Sequence, residues 1–483
     1  MLTQQKQAPV RPAAPDAVPL VVDLDGTLIF SDLLWESLVL FLKKSFLRAW
    51  LLPVWVTGGK AAFKERLAAE VELDPAALPY DRALIELIRD EREQGREVVL
   101  ATGSHARFAG FIADHLDLFD RVLATGGGTN LTSHNKAREL VALYGEGGFD
   151  YVGNSSADVP VWQASRAAYS VTARQFRLAD GRVTTRVGSE RAGAGRSLFK
   201  ALRPRQWLKN LLVFVPMLAG HALTLHALVP SIVAFVAFSL CASSAYLLND
   251  ALDAQDDRMH PTKRKRPIAA GTLPLSLALA ASPLLALAAF ILCAVFNPVL
   301  LGVVAIYFAT TLAYSIQLKR MLMVDIVTLA ILYSLRVLGG SAATGIAPSF
   351  WLLAFSFFIF LSLALLKRHS ELLNLHRDGK EKTRGRGYST ADKTPIGIMG
   401  INSAFVSVLI FMLYFNSENV LDLYAHPAWL LGILPLLVFW LGRLWTLSFR
   451  GQVNEDPVLY VSRDKVSLVV LAACGLLATA ASF

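Results

Sequence analysis

From Asn249 to Gly271 the chain reads NDALDAQDDRMHPTKRKRPIAAG, an acidic run passing into a basic one directly after a long apolar stretch. If this segment stays helical, Asn249, Asp253 and Asp257 recur at i, i+4 and i+8 on one face, with Asp250 beside them. Oxygen ligands so arranged suit Mg²⁺, which commonly keeps substrate phosphates in its shell. Lys263, Arg264, Lys265 and Arg266 follow within one or two turns and can hold the outer phosphate oxygens. Most charge runs are solvated helix faces, yet these acids fall where a spanning helix ends. That position favours a metal and phosphate site at a membrane surface.

A second set of residues carries another phosphate chemistry. PLVVDLDGTL, from Pro19 to Leu28, is a short apolar β-run delivering Asp23 and Asp25 into a Gly-Thr turn. In a strand, residues i and i+2 point the same way, so one carboxylate can attack phosphorus while the other handles the leaving-group proton. A second β-run, Glu97 to Ala101, ends in Thr102-Gly103-Ser104, which offers a hydroxyl and backbone N–H groups to a phosphate. Lys136 opens a helical pattern, and Tyr151-Val152-Gly153-Asn154 ends a third run with Asp158 shortly after. Together these read as one site.

The elements that must position these residues lie in two different solvents. Of 483 residues 54% are hydrophobic and only 18% charged, too apolar for an ordinary soluble chain. Up to about Gly195 the sequence is mixed; from Leu211 it is a series of apolar blocks of about 17 to 22 residues, the length that crosses a bilayer. Nine spans are expected, at about 207–223, 229–249, 275–296, 297–316, 322–343, 350–367, 397–415, 426–446 and 463–482, the first interrupted by Pro216 and Gly220. Lys and Arg concentrate in the loops after even-numbered spans, which puts those loops and the whole amino-terminal region in the cytoplasm. The expected location is therefore the cell inner (plasma) membrane, and an odd span count places Phe483 outside. These basic loops largely explain the net charge of +9, so anionic headgroups and phosphorylated substrates are the expected partners and nucleic acid is not. Cys241, Cys293 and Cys474 all fall in apolar spans, with no disulfide or zinc pattern.

The expected organisation is a disordered start over 1–18, a soluble α/β domain over 19–188, a Gly and Ala-rich linker over 189–199 and a membrane domain over 200–483. A helical insertion at about 30–90 has the size of a cap. Part of it, Leu33 to Val56, is apolar with Lys43, Lys44 and Arg48 interspersed, and reads either as an interfacial helix or as a buried cap core.

DLDGT, then LATGS, then a lone Lys, then YVGNSSAD resembles the four motifs of the haloacid dehalogenase-like (HAD) phosphohydrolases, over about residues 19–190. The resemblance implies a Rossmannoid domain with a helical cap, Asp23 as nucleophile forming an aspartyl phosphate and Asp25 as general acid/base. It implies Thr102 and Lys136 as phosphate holders, and Asp23, Asp25, Asn154 and Asp158 around magnesium. Asn154 stands where the family usually has aspartate, which removes a charge from the metal site; a degenerate regulatory domain is the alternative.

Arg203-Pro204-Arg205-Gln206-Trp207-Leu208-Lys209-Asn210 opens the membrane region, as an interfacial anchor, a phosphate-binding entry, or both. With NDxxDxxxD on Asn249, Asp250, Asp253 and Asp257, it resembles the UbiA superfamily of intramembrane prenyltransferases from about 200 to 483. That resemblance implies nine helices around a lipid-open cavity, with magnesium on the four acidic-motif residues. The usual second Asp-rich motif after the sixth span is replaced by LLKRHSELLNLHRDGKEKTRGRGY, where Lys367, Arg368, Arg384 and Arg386 outnumber the acids and Glu371 is the best remaining ligand. This basic site, RPxQWxKN and HPTKRxRPIAAG resemble the branch containing decaprenyl-phosphate phosphoribosyltransferases. The implied reaction transfers phosphoribose from phosphoribosyl diphosphate to a polyprenyl phosphate. Arg203, Lys209, Lys263, Arg266 and Lys367 would hold phosphates, and the HAD domain would remove the remaining 5-phosphate. Two alternatives stand beside it: an aromatic or quinone-type transferase using a prenyl diphosphate and an aromatic cosubstrate, and a non-catalytic lipid-phosphate binder or transporter. Arg336, deep in the fifth span, is expected to meet a carboxylate, a carbonyl or a substrate phosphate, with Asp325 as one possible partner.

Overall fold

The computed structural model describes residues 18–45, 48–126, 130–190, 193–379, 381, 386–415, 423–453 and 456–482. The expected disordered start falls almost wholly outside them. Two compact units result: Met1–Leu202 with Leu247–Ala281, and Arg203–Tyr246 with Ser282–Phe483. The segment bearing the acidic and basic runs thus belongs to the first unit.

In the first unit, strands β1 (Leu20–Val22), β2 (Val98–His105), β3 (Arg121–Thr125), β4 (Asp150–Gly153), β5 (Ala168–Ser170) and β6 (Thr185–Arg186) form one sheet in the order β3-β2-β1-β4-β5-β6, with every pairing parallel. The helices are α1 (Leu33–Lys44), α2 (Leu51–Thr57), α3 (Lys60–Glu70), α4 (Arg82–Glu93), α5 (Ala106–Leu116), α6 (His134–Tyr144), α7 (Val159–Ala164) and α8 (Ala194–Ala201). Central strands are covered on both faces and therefore read as unbroken apolar runs. Leu20, Val22, Val98 and Leu100 pack with Leu33, Ile88 and Phe108, whereas the alternate residues Val21, Val99 and Tyr151 pack with Leu140, Val161 and Trp162. The strand order reverses at β1, and the crevice beyond the carboxyl ends of β1 and β4 is where such sheets place their chemistry. Asp23 follows β1 there.

Helices α1 to α3 form the cap between β1 and β2. Asp32 caps α1 by accepting from Leu34 N at 2.8 Å. Phe41 and Trp55 are buried against each other, so the apolar stretch builds a cap core; Trp50, Val54 and Val56 nonetheless remain exposed. The expected linker is helical from Ala194, and Ser189 is tied to Asp81 through N–H and hydroxyl bonds.

The remaining helices are α9 (Val215–Ala219), α10 (Leu225–Leu252), α11 (Ala254–Arg258), α12 (Leu275–Phe296), α13 (Pro298–Ile316), α14 (Val324–Thr344), α15 (Phe350–Arg377), α16 (Lys393–Phe415), α17 (Ile433–Phe449), α18 (Pro457–Val461) and α19 (Lys465–Ser482). Among the described residues eight helices, not nine, are long and apolar enough to cross a membrane. The missing one is the first expected span. Its place is taken by a 3₁₀ segment, Pro204–Phe214, and the five-residue α9, which Pro216 opens and Gly220 caps. The odd count used to place Phe483 outside therefore loses its basis.

Small residues let these elements approach closely, as lipid-embedded helices require. A Cβ on Gly340 of α14 would overlap the Val213 backbone of the 3₁₀ segment, and one on Gly400 of α16 would overlap the Trp445 indole of α17. Ser362 of α15 donates to the Gly400 carbonyl at 2.8 Å and accepts from Trp445 Nε1 at 3.0 Å, locking three helices together.

Candidate active sites

The sheet brings the HAD-like residues to one point. Asp23 accepts from Lys136 Nζ at 2.7 Å and from the Thr27 hydroxyl at 3.2 Å. Asp25 accepts from Ser104 at 2.6 Å, from Thr102 at 3.2 Å and from Leu33 N at 2.8 Å. Burial raises both carboxyls, Asp23 to about 7 with help from Asp158 and Asp25, and Asp25 to about 6 with help from Asp32. Thr102 and Ser104 both reach Asp25, so in this arrangement Thr102 orients the acid.

Lys136 also donates to the Tyr151 hydroxyl at 2.9 Å, and Tyr151 donates to Asp158 at 2.8 Å. The other Asp158 oxygen is met by Asn154 N, Ser155 N and the Ser155 hydroxyl at 2.9 to 3.3 Å. Asp158 thus holds the loop after β4 and aims Tyr151. The Asn154 amide lies over Gly26, where a Cβ would overlap it, and Gly26 has a positive φ of 69°. Sequence reasoning missed Tyr151 and Lys64. Lys64 reaches in from α3 to the Gly103 carbonyl at 2.6 Å, and burial lowers its ammonium. Nothing in its helical surroundings marks it, whereas Tyr151 sits inside a motif already singled out.

The acidic segment is less regular than expected. The helical ladder persists through Asp253 N to Asn249 O at 2.9 Å and Asp257 N to Asp253 O at 2.8 Å, although Asp253 itself breaks α10 from α11. The side chains do not form one face. Asp250 and Asp257, seven residues apart, meet on the Arg266 guanidinium at 3.1 and 2.6 Å, while Asp253 turns towards Lys43 at 3.8 Å. Burial raises the Asp257 carboxyl against the pull of Arg266. Arg266 therefore bridges the acids, and Lys263 stands exposed on a 3₁₀ turn. Asn249 is half-buried on the last turn of α10. No group of three or more His, Cys, Asp or Glu among the described residues converges on one point. Two carboxylates sharing one positive charge are still a fit for Mg²⁺, which typically takes one or two carboxylates and completes its shell with water and phosphate oxygens.

In the second unit, Lys209 and Lys367 share Asp456 at 2.6 and 3.1 Å, with Lys209 and Asp456 largely buried and Lys367 half-buried. Burial works to raise the Asp456 carboxyl, but Lys367 and Lys209 outweigh it and hold it well below the usual range. Lys209 also faces the Tyr333 ring at 5.7 Å, and Arg203 faces Tyr246 at 4.9 Å. Glu371 pairs with Arg368 and lies 3.6 Å from Arg386. The fully buried Arg368 in turn holds Asp325 at 2.5 Å, to which Tyr388 donates. Asp325 is therefore the partner of Arg368 and not of Arg336. Arg336 meets the Asn210 side chain at 2.8 Å, the Tyr307 hydroxyl at 2.9 Å and the Leu332 carbonyl. Arg384 lies outside the described residues.

Comparison with known proteins agrees with both resemblances. The model of the UbiA prenyltransferase family matches residues 213–461, and that of the haloacid dehalogenase-like hydrolases matches residues 20–163. Protein y4nM of Sinorhizobium fredii is 37% identical over 93% of this chain and 88% of its own length. Decaprenyl-phosphate phosphoribosyltransferase of Mycolicibacterium smegmatis is 41% identical over 57% of this chain and 89% of its own length. Nodulation protein NoeC of Azorhizobium caulinodans is 34% identical over 56% and 89%. The chain belongs to the UbiA prenyltransferase family: it is a multi-pass membrane transferase related to decaprenyl-phosphate phosphoribosyltransferase, with a HAD-like hydrolase domain at its amino-terminal side.

Proposed function

We propose that the chain transfers phosphoribose from phosphoribosyl diphosphate to a polyprenyl phosphate at the cytoplasmic face of the inner membrane, and that its HAD domain hydrolyses the 5-phosphate of the product. The observation that carries the transfer is the Lys209–Asp456–Lys367 group. Two ammonium groups converge on the Asp456 carboxylate, which concentrates positive charge at one point. A phosphate oxygen is its natural complement. The kinship with decaprenyl-phosphate phosphoribosyltransferase supports the same acceptor class.

In the transfer, a polyprenyl phosphate oxygen attacks C1 of the ribose as the C1–O bond to pyrophosphate breaks, and pyrophosphate leaves with the electron pair. Mg²⁺ held by Asp250 and Asp257 would neutralise that leaving group. Arg266 keeps the two carboxylates together, and Lys209 and Lys367 hold phosphate charge. In the hydrolysis, an Asp23 oxygen attacks the 5-phosphorus, the phosphorus–ester oxygen bond breaks, and the departing 5-oxygen takes the Asp25 proton. Asp25 then accepts a proton from the water that cleaves the aspartyl phosphate, releasing phosphate and Asp23. Lys136 neutralises charge beside Asp23 throughout.

The test supplies polyprenyl phosphate and labelled phosphoribosyl diphosphate to the purified chain and follows pyrophosphate and lipid products by mass spectrometry. Pyrophosphate with a ribosylated lipid is the expected result. Absence of both refutes the transfer, and incorporation of a prenyl diphosphate into hydroxybenzoate would establish the aromatic alternative. A 5-phosphate that persists equally with Asp23 intact and with Asp23→Asn refutes the hydrolysis.

A further inference from the structure

Helix α1 follows the HAD nucleophile loop, with Leu33 N donating to Asp25. One turn into it, Glu36 is buried to 1% side-chain exposure although it takes no part in the hydrolysis. Its partner is Arg258, the residue after Asp257 and 222 positions away in sequence, itself only 7% exposed. The two make a forked pair at 2.5 and 3.1 Å, and Ser31 donates to the same carboxylate at 2.5 Å. The rest of the guanidinium donates to the Ala77 carbonyl at 3.2 Å and the Ala269 carbonyl at 3.1 Å. Arg258 therefore joins the cap, the short α11 and the far end of the basic run.

Two more contacts repeat the pattern. Lys43, near the end of α1, lies 2.6 Å from Asp256 and 3.8 Å from Asp253. At the other end of the segment Gly271, with φ of 71°, lies so close to Phe30 that a Cβ would overlap it. The acidic and basic runs are thus gripped at both ends by residues of the hydrolase domain. A five-residue helix is too short to hold itself in water, so its geometry depends on what it is packed against.

We propose that Glu36, supported by Lys43, is a positioning residue for the transferase: it fixes Arg258 and so holds Asp257 opposite Asp250 in the geometry that binds metal and pyrophosphate. The hydrolase domain is then a structural part of the transferase site as well as a second enzyme. This rests on the transferase reading above for its kinetic test. An isolated buried pair also fits a purely structural role, which would change the amount of folded protein without changing how it uses metal.

The experiment measures pyrophosphate release by the full chain against Mg²⁺ concentration, using polyprenyl phosphate and phosphoribosyl diphosphate. Glu36→Ala is expected to raise the Mg²⁺ needed for half-maximal rate at least ten-fold. The exchange Glu36→Arg with Arg258→Glu recovers most of that shift. Glu70→Ala, which breaks the cap's own pair with Arg48, leaves it unmoved. Independently of activity, amide hydrogen exchange over residues 254–271 accelerates in Glu36→Ala. Unchanged Mg²⁺ dependence together with unchanged exchange overturns the proposal. If the wild-type chain releases no pyrophosphate, the transferase reading falls, and the exchange measurement alone still decides whether Glu36 holds this segment.

Discussion

Replacing Asp456 by Asn keeps the side chain's shape and its cap on α18, where it accepts from Val458 N, but removes the carboxylate that Lys209 and Lys367 share. Asp456 has 8% side-chain exposure, so little water is available to take over its role. Removing one member of a buried ionic group typically costs about 3 to 5 kcal/mol, because the charges left behind lose their partner. The substrate-free variant is therefore expected to unfold well below the wild type. An anion that binds between the two lysines would supply the missing charge. At a hundred times its dissociation constant such a ligand contributes about 2.7 kcal/mol, most of the deficit. The assay is thermal unfolding of the detergent-solubilised chain across a pyrophosphate titration in Mg²⁺. The variant should gain more from pyrophosphate than the wild type does, and the two midpoints should converge at saturation. A variant as stable as the wild type without ligand, or one whose deficit pyrophosphate leaves untouched, refutes the view that this concentrated positive charge is a phosphate site.

Lys136→Met should lower phosphate release from a 5-phosphorylated product by about 10² to 10³-fold while leaving pyrophosphate release unchanged, as separate phosphate and pyrophosphate assays would show. The raised Asp23 and Asp25 carboxyls give the metal-free chain a definite pH signature. The folded state binds more protons than the unfolded state above about pH 4, so this contribution to stability is complete below that pH and is lost as pH rises through about 6 to 7. At about 1.4 kcal/mol per pH unit, Asp23 alone sets an upper bound of about 4 kcal/mol. Unfolding midpoints in chelator should fall from pH 5 to pH 8, and added Mg²⁺ should raise the midpoint more at pH 8 than at pH 5. Gly400→Val should destabilise the chain by about 1 to 3 kcal/mol through overlap with the Trp445 indole, and Trp445→Ala should relieve part of that penalty in the double variant.

What the sequence made legible was local. Asp23, Asp25, Thr102 and Asn154 lie at the ends of apolar runs, so recognising three buried parallel strands was enough to bring them together. The acidic segment was legible in position but not in geometry, because periodicity cannot see that Asp253 breaks the helix or that Arg266 folds back nine residues to Asp257. Lys64, and the pairs of Arg258 with Glu36 and of Arg368 with Asp325, were invisible for a different reason. Each depends on long side chains meeting across elements whose order in space no spacing encodes. The lost first span is instructive in the same way: average hydropathy suggested a crossing, while Pro216 and Gly220 fall where the helix is cut to five residues.

Among the described residues, all six strands lie between residues 20 and 186, before the first spanning helix begins at Leu225. On the ribosome, the hydrolase sheet can therefore close before the helix from Leu225 has been made. The grip of Glu36 on Arg258 comes later, since it needs α10 to have been synthesised and inserted first. A ready-made soluble surface thus waits for the acidic segment as it emerges. Biosynthesis runs in a fixed sequence: first a finished template, then a membrane anchor, and only afterwards the loop that the template shapes.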